Sequence, residues 1–530
     1  MGALTLKNFP FELRGWEIHK FKSFDPTDNY LSSTLIYLNK NDIVQIEPTF
    51  NEYNSSWLSD KARHYFDTIF EAFSKNKKVK IAWLKLYNQI LTKVYISEHC
   101  RRQINKNYFF TIVFDYLSIE LLAILSFISD SYSFICLRQA QSCSNLNTDL
   151  ESNFQVTNLL NRKTLINSNL CLLLATNPRY EGHSLNLTLR QRVLKKNFKC
   201  ILIGSLINLT FPVSFIGTNT NIIKSVAEGN NFTCQNLKYS INPFWICNTE
   251  LFKRNDSKTI NQIFKVLFYS DFFSKAWSGL NILSSTMGEV GMFVLNHTKK
   301  LKLKDLNNFS SIYFINTTVN KIGNFKKITE LQLFLKEFVI KSGCSERKFI
   351  LDQNYKINKN SKFSIKNKAN YLYIPTTTFY ENQETFISTI GFIKKSTKIV
   401  SKNKSKNTWQ ILRKIIKHLR NKLIFFNKKD NQTLFFNSKK FYHFKSYINF
   451  QYYPVKKMTN LSYYLSARNK IFTINKFNFY FKIKHRKFIT TKLKYWMNNV
   501  FNSNKDQYSA NSNILINCSK QVKYQTTNFF

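Results

Sequence analysis

The chain has 530 residues, enough for two or more domains. It carries 78 Lys+Arg against 31 Asp+Glu, a formal charge of +47, with only 12 glycines and 8 prolines. Its nine cysteines include no CxxC pair and are odd in number, which argues against a clustered zinc or iron–sulfur site and against a pure disulfide framework.

Residues 1–70 read as a small β-rich lobe. Trp16–His19, Ser32–Leu38 and Asp42–Ile46 are strand-like, the last following the turn-forming Asn39-Lys40-Asn41. A helix is expected next: Ser59-Asp60-Lys61 offers capping groups, and Tyr65, Phe66, Ile69, Phe70 and Phe73 recur at helical spacing. The most apolar stretch, Tyr108 to Leu137, alternates between helix and strand character. It is broken by Asp115, Glu120 and Asp130, so it is no membrane span. The first residues carry no secretory signal.

The clearest unit runs from Asn169 to Ser205. Leu170–Leu174 is a continuous apolar run, the mark of a strand covered on both faces. Thr176-Asn177-Pro178 ends it, because proline fixes its own φ and restricts the residue before it. Leu185, Leu189, Val193 and Leu194 then fall at helical spacing, with cations in the last turns, and Cys200–Ile203 is a second apolar strand closed by Gly204. Two such strands joined by a helix imply a parallel pair with a right-handed crossover. The rhythm continues with a short helix through Ile222, Ile223 and Val226 that stops at Gly229. Strand Pro243–Cys247, an amphipathic helix from Ile260 to Phe268 and strand Ile312–Ile315 follow. Cys171, Cys200 and Cys247 lie in apolar runs, where free cysteine behaves as a small hydrophobe.

No glycine follows Gly391, and residues 401–530 hold 27 Lys+Arg against 2 Asp+Glu. Trp409, Ile411, Leu412, Ile415, Ile416 and Leu419 share one helical face, so this basic extension is too patterned for plain disorder, with Asn502 onward its loosest part. The charge has two readings: a polyanion partner such as RNA, or drift toward the Lys, Asn, Ile, Phe and Tyr of A/T-rich codons. The basic–aromatic run Phe479–Tyr495 suits either RNA or an acidic protein neighbour.

Gly288-Glu289-Val290-Gly291 lacks the Lys-Ser/Thr of a phosphate loop and reads as helix packing. The eight histidines are scattered, and His99 beside Cys100 is a chance pair whose side chains diverge. Glu17, Asp60 and Asp67 read as capping and ion-pairing groups. The turn at Thr176-Asn177-Pro178-Arg179 has no glycine-rich phosphate cradle. No catalytic, cofactor-binding or metal-binding residue is therefore expected.

Asn177-Pro178-Arg179-Tyr180-Glu181, Ile201–Ser205, Leu209-Thr210, Gly2-Ala3-Leu4-Thr5, Phe11, Arg14, Trp16, Glu17 and Trp57–Lys61 with Arg63 and Asp67 together resemble the 75-kDa iron–sulfur subunit family of respiratory complex I. The resemblance is to that family's C-terminal domain, which is similar to molybdopterin oxidoreductases. It covers residues 2–70 and 148–391 with gaps, including Thr148-Asp149-Leu150, Lys253–Asp256, Trp277, Asn281–Leu283 and Pro375 to Gly391.

The resemblance implies an α/β fold with molybdopterin-oxidoreductase-like layers and parallel sheets. The domains expected are the β-rich lobe at 1–74, the α/β domain at 75–395 and a basic, mostly helical extension at 396–530. In the family, the Gly-Ala-Leu-Thr segment directly follows a Cys that holds the last cluster of the N-terminal region, so the cluster-bearing half is expected as a separate polypeptide, the alternative being a processed or truncated copy. The implied role is a structural subunit of NADH:ubiquinone oxidoreductase, without a redox centre of its own. It would sit in the mitochondrial matrix arm at the inner membrane beside other matrix-arm subunits, and be encoded in the organelle. The iron–sulfur clusters are expected in the partner chain. The alternative is a mitochondrial ribosomal or other RNA-binding protein, resting on charge alone.

Overall fold

The computed structural model describes residues 13–49, 57–67, 110–114, 117–131, 135–139, 165–254, 256–268, 279–284, 287–295, 311–316, 338–343, 370–400, 406–415, 493 and 512–527. A three-stranded antiparallel meander opens it: β1 (His19–Phe24), β2 (Ser33–Asn39) and β3 (Asp42–Pro48). Alternation decides its faces. Thr34, Ile36 and Leu38 of β2 point inward, and the residues between them are half-exposed. Trp16 is not in the first strand. Gly15–Glu17 is a 3-10 turn, with the Glu17 carboxylate accepting from the Arg14 N–H, and Trp16 is 82% exposed, so nothing pulls that segment into the sheet. Ser59 caps the helix Asp60–Arg63 by accepting from the Ala62 N–H, as its sequence predicts; the continuation to Phe73 lies outside the described residues.

The apolar stretch after Phe110 resolves into both of its readings. β4 (Phe110–Phe114) is followed by the helix Ile119–Ser131 and by β5 (Ile135–Gln139). The chain then builds a second α/β unit: β6 (Leu170–Leu174), helix His183–Leu194, β7 (Lys199–Ile203), β8 (Ser214–Gly217), helix Asn221–Ala227, β9 (Phe244–Asn248), helix Ser257–Phe268 and β10 (Leu280–Leu283). These five strands form a parallel sheet in the order β10-β9-β6-β7-β8. β6 lies at its centre with every residue buried, which is why its sequence shows no alternation.

β11 (Ser311–Ile315), β12 (Phe338–Gly343) and β13 (Asn370–Pro375) then return to the first pair and make a second parallel sheet, β13-β12-β11-β4-β5. The β6-centred unit is thus inserted between β5 and β11 of the other sheet.

A hairpin of β14 (Thr385–Ile387) and β15 (Ile393–Lys395) closes the chain back on its start. Phe379, Tyr380, Phe386, Ile399 and Val400 pack with Phe24, Leu31, Ile36, Leu38, Ile43 and Ile46 in one core, and the Phe24 ring meets that of Phe379 edge-on at 5.3 Å. Ile411 and Leu412, on a helix at 408–415, join the core of the second parallel sheet. Residues 396–400 and 408–415, assigned to the extension on composition, are therefore built into the cores. Ile416, Leu419 and all of 479–495 except the buried Leu493 lie outside the described residues. Among the described residues no helix is long and apolar enough to cross a membrane.

Candidate functional site

In an open parallel sheet, ligands settle at the carboxyl ends of the strands where the chain's order reverses. Here that point lies between β6, which leads on to β7 and β8, and β9, which leads on to β10. The turn leaving β6 is tight. Ala175 takes φ 47°, and its N–H donates to the Ile203 carbonyl at 2.8 Å. Gly204, at φ 148°, permits this closeness, since a Cβ there would lie 3.3 Å from Ala175 Cα. Asn177 then precedes a one-turn helix, Pro178–Glu181.

The backbone N–H of Asn177 and the hydroxyl of Thr176 at this turn are occupied. The Asn177 N–H donates to Glu181 Oε2 at 3.1 Å, and the Thr176 hydroxyl donates to the same oxygen at 3.3 Å. Pro178 has no N–H. The Tyr180 and Glu181 N–H groups return to the Asn177 carbonyl. A buried carboxylate of the chain thus sits where a Rossmann-type turn would hold phosphate, and its negative charge opposes one. The residues present do not fit a dinucleotide pyrophosphate here. The Asn177 amide, fully buried, leaves both its oxygen and its nitrogen without hydrogen-bond partners.

The neighbouring strand ends are polar and partly engaged, with Asn248 Nδ2 and Ser284 Oγ buried without hydrogen-bond partners. Asn248 Oδ1 accepts from the Glu250 N–H at 2.9 Å and the Thr249 hydroxyl at 3.2 Å. The Thr249 hydroxyl reaches Glu289 Oε2 at 2.9 Å, and Lys253 Nζ bridges Glu289 at 3.0 Å and Glu250 at 2.9 Å. Glu289 begins the helix Glu289–Val294 that follows β10. Gly288 and Gly291, weighed as a phosphate loop, pack that helix on the neighbouring unit: Gly288 takes φ 87° with its Cβ direction blocked by the Leu117 carbonyl at 2.7 Å, and Gly291 faces Ile119 and Leu122.

One group of three metal-capable side chains occurs among the described residues, and spacing did not reveal it. Asp25 and Asp28, on the loop between β1 and β2, meet His183 at the start of the helix after β6, with one ligand atom from each within 4.8 Å of the others. Asp28 and His183 are 155 positions apart and joined by Nδ1 and Oδ2 at 3.1 Å. Within the loop, Asp25 accepts from the Thr27 N–H at 2.8 Å and Asp28 from the Tyr30 N–H at 3.1 Å.

Burial of this cluster is deep: 1% exposure for Asp25, 3% for Asp28 and 8% for His183. Burial, then the charge of Asp28, pushes the Asp25 carboxyl up to about 6. For His183, burial alone would lower the imidazole, but the hydrogen bond and charge of Asp28, with the charge of Asp25, raise it. Two carboxylates and an imidazole are a divalent-metal donor set, and Asp25 Oδ2 and His183 Nε2 are buried without hydrogen-bond partners, while the nearby lysines bond neutral oxygens of the same loop and the start of β2. Lys61 Nζ donates to the Thr27 carbonyl at 2.9 Å, and Lys394 Nζ to the Leu31 carbonyl at 2.7 Å and Ser33 Oγ at 2.9 Å. The cluster works as an ionic knot between the β-rich lobe and the β6-centred sheet. His99 and Cys100 lie outside the described residues.

Comparison with known proteins follows the same lines. The molybdopterin oxidoreductase family profile matches residues 74–418. The chain is 25% identical over 456 residues to the NADH-ubiquinone oxidoreductase 75 kDa subunit of Reclinomonas americana, covering 82% of this chain and 62% of that one. It is 24% identical over 554 residues to the subunit of the same name in Acanthamoeba castellanii, covering 100% of this chain and 70% of that one. To the NADH-ubiquinone oxidoreductase 78 kDa subunit of Neurospora crassa it is 23% identical over 324 residues, covering 56% and 41%. The chain thus spans less than two thirds of the Reclinomonas and Neurospora proteins.

Proposed function

We infer the function of this chain from its membership of the molybdopterin oxidoreductase family, to which it belongs by the match over residues 74–418. We propose that it is a structural subunit of respiratory complex I, in the arm on the matrix side of the mitochondrial inner membrane. It supports a separate cluster-bearing polypeptide and holds neither pterin nor metal. The similarity to 75 and 78 kDa subunits supports the first part. The observation that carries the second is Glu181, whose carboxylate uses up the Asn177 N–H and the Thr176 hydroxyl that a pterin dinucleotide's pyrophosphate would need. Each of this chain's contributions is then mechanical. The two parallel sheets give a rigid body, the Asp28–His183 pair ties the lobe to it, and the surface docks neighbours. Encoding within the organelle belongs to the same proposal and accords with the A/T-codon composition.

The test is a native gel of gently solubilised membranes. The chain should co-migrate with NADH-oxidising activity, its band should include a second polypeptide carrying the iron–sulfur clusters, and the chain separated from it should retain neither molybdenum nor iron. Stoichiometric metal on the separated chain refutes the structural role. Migration with ribosomes instead, and a steep log–log loss of RNA affinity with salt, would favour the RNA-binding alternative.

A further inference from the structure

The edge of the β6-centred sheet opposite the candidate site has an unusual surface. Ile166, Leu194, Tyr239 and Ile241 are 55%, 59%, 80% and 67% exposed. They stand on segments that enter or leave the amino ends of β6, β7 and β9, and those segments are hydrogen-bonded into one surface. The Asn169 N–H donates to the Ile241 carbonyl at 3.2 Å, and the Ile241 N–H to Asn169 Oδ1 at 2.8 Å. The Lys199 N–H donates to the Asn169 carbonyl at 2.9 Å. Arg192 bonds the Ser168 carbonyl at 2.5 Å and lies over the Phe198 ring. The apolar residues are therefore held in place, and singly exposed side chains would need no such explanation.

Their frame is cationic. Lys195, Lys196, Lys199 and Lys238 are exposed around them, and residues 165–169, 192–199 and 229–242 contain no Asp or Glu. Apolar anchors inside a ring of one charge are the anatomy of a protein–protein interface core and rim. We propose that this amino-terminal sheet edge docks an acidic protein neighbour, a surface whose own apolar centre is ringed by Asp and Glu. Three of the four anchors, Ile166, Leu194 and Ile241, are aliphatic, and only the Tyr239 ring among them offers a nucleobase a stacking face, which favours a protein over RNA as the occupant. A fixed, hydrogen-bonded sheet edge also differs from the protruding amphipathic helices that lie in bilayers. The proposal deepens the reading of this chain as a docking subunit and rests on it.

Lysine acetylation followed by peptide mass analysis tests it in whichever native particle the chain occupies. Lys195, Lys196, Lys199 and Lys238 should label at least about ten-fold more slowly in the particle than in the denatured chain, since an interface core excludes reagent. A zero-length carbodiimide cross-linker should join them to Asp or Glu of another polypeptide. An Ile241→Asp chain should assemble poorly while folding normally by circular dichroism. Labelling as fast in the particle as in the denatured chain overturns the proposal. So does protection that ribonuclease removes, or protection that anionic phosphatidylglycerol vesicles alone confer. Because the readout does not depend on NADH oxidation, a particle lacking that activity would sink the complex I reading while leaving the docking edge to be judged separately.

Discussion

Replacing Glu181 with alanine tests whether a carboxylate has taken over the phosphate turn. The side chain is buried and accepts from the Asn177 N–H at 3.1 Å and the Thr176 hydroxyl at 3.3 Å, both on fully buried residues. Hydrogen bonds to a charged acceptor contribute about 1.5–3 kcal/mol each, the longer one toward the lower end, and their losses are not additive. Part of the loss is returned because a buried charge disappears. A net cost of about 2–4 kcal/mol for opening this turn follows. Amide exchange reads it directly: at 1.36 kcal/mol per factor of ten, the Asn177 amide and its β6 neighbours should exchange roughly 30- to 1,000-fold faster. Glu181→Gln keeps the shape and an acceptor oxygen, and should cost about 1 kcal/mol. Added pyrophosphate should slow exchange at the turn in Glu181→Ala and leave the parent chain unaffected. If Glu181→Ala exchanges at the parent rate, the carboxylate does not hold the turn and the argument against a bound dinucleotide loses its support.

Proton linkage gives a second prediction. Asp25 is pushed up to about 6 and His183 is raised above its ordinary value, so the folded lobe holds protons that the unfolded chain releases. For both groups the stabilisation is full below the unfolded value and is lost as pH rises through the folded one, so thermal stability should fall from about pH 4 to 6 through Asp25 and further as pH rises above 6.5 through His183. Lys61, Lys394, Tyr30, Tyr380 and the Trp57 backbone share the surroundings of this cluster. Asp25→Asn should flatten the fall and raise the melting temperature at the alkaline end; an unchanged slope would exclude Asp25 as its source. Asp28→Asn removes the carboxylate that His183 Nδ1 meets at 3.1 Å and should cost about 1.5–3 kcal/mol in chemical denaturation. Gly288→Ala meets both a left-handed φ and the Leu117 carbonyl at 2.7 Å, and should lose at least about 1–2 kcal/mol, checked by thermal unfolding. Leu172→Ala, at the fully buried centre of β6, should lose about 2–5 kcal/mol by the same measurement.

How much of this was legible depended on the range over which each signal acts. β6, β7 and β9 stand out as unbroken apolar runs because parallel strands are covered on both faces, and the Gly229 stop and Ser59 cap are chemistry within one turn. Trp16–His19 misled because aromatic and β-branched residues resemble a strand wherever they occur, whereas the local 3-10 turn Gly15–Glu17 claims its first two residues and only His19 enters β1. Ile312–Ile315 was legible as a strand but not as a member of the other sheet, since an inserted unit leaves no mark on local periodicity. The ionic knot was illegible for the same reason: Asp28 and His183 are 155 positions apart, and Lys394 reaches Leu31 across 363.

The core shared by Phe24, Leu31 and Ile36 with Phe379, Tyr380, Phe386 and Val400 bears on the timing of synthesis. When the meander emerges from the ribosome, most of its apolar cover is still untranslated, and hundreds of codons separate it from that cover. The nascent segment must wait with its inner face bare, a state that invites chaperone capture or mispairing of its strand edges. Completion of the meander's core is thus delayed until a segment synthesised hundreds of residues later arrives.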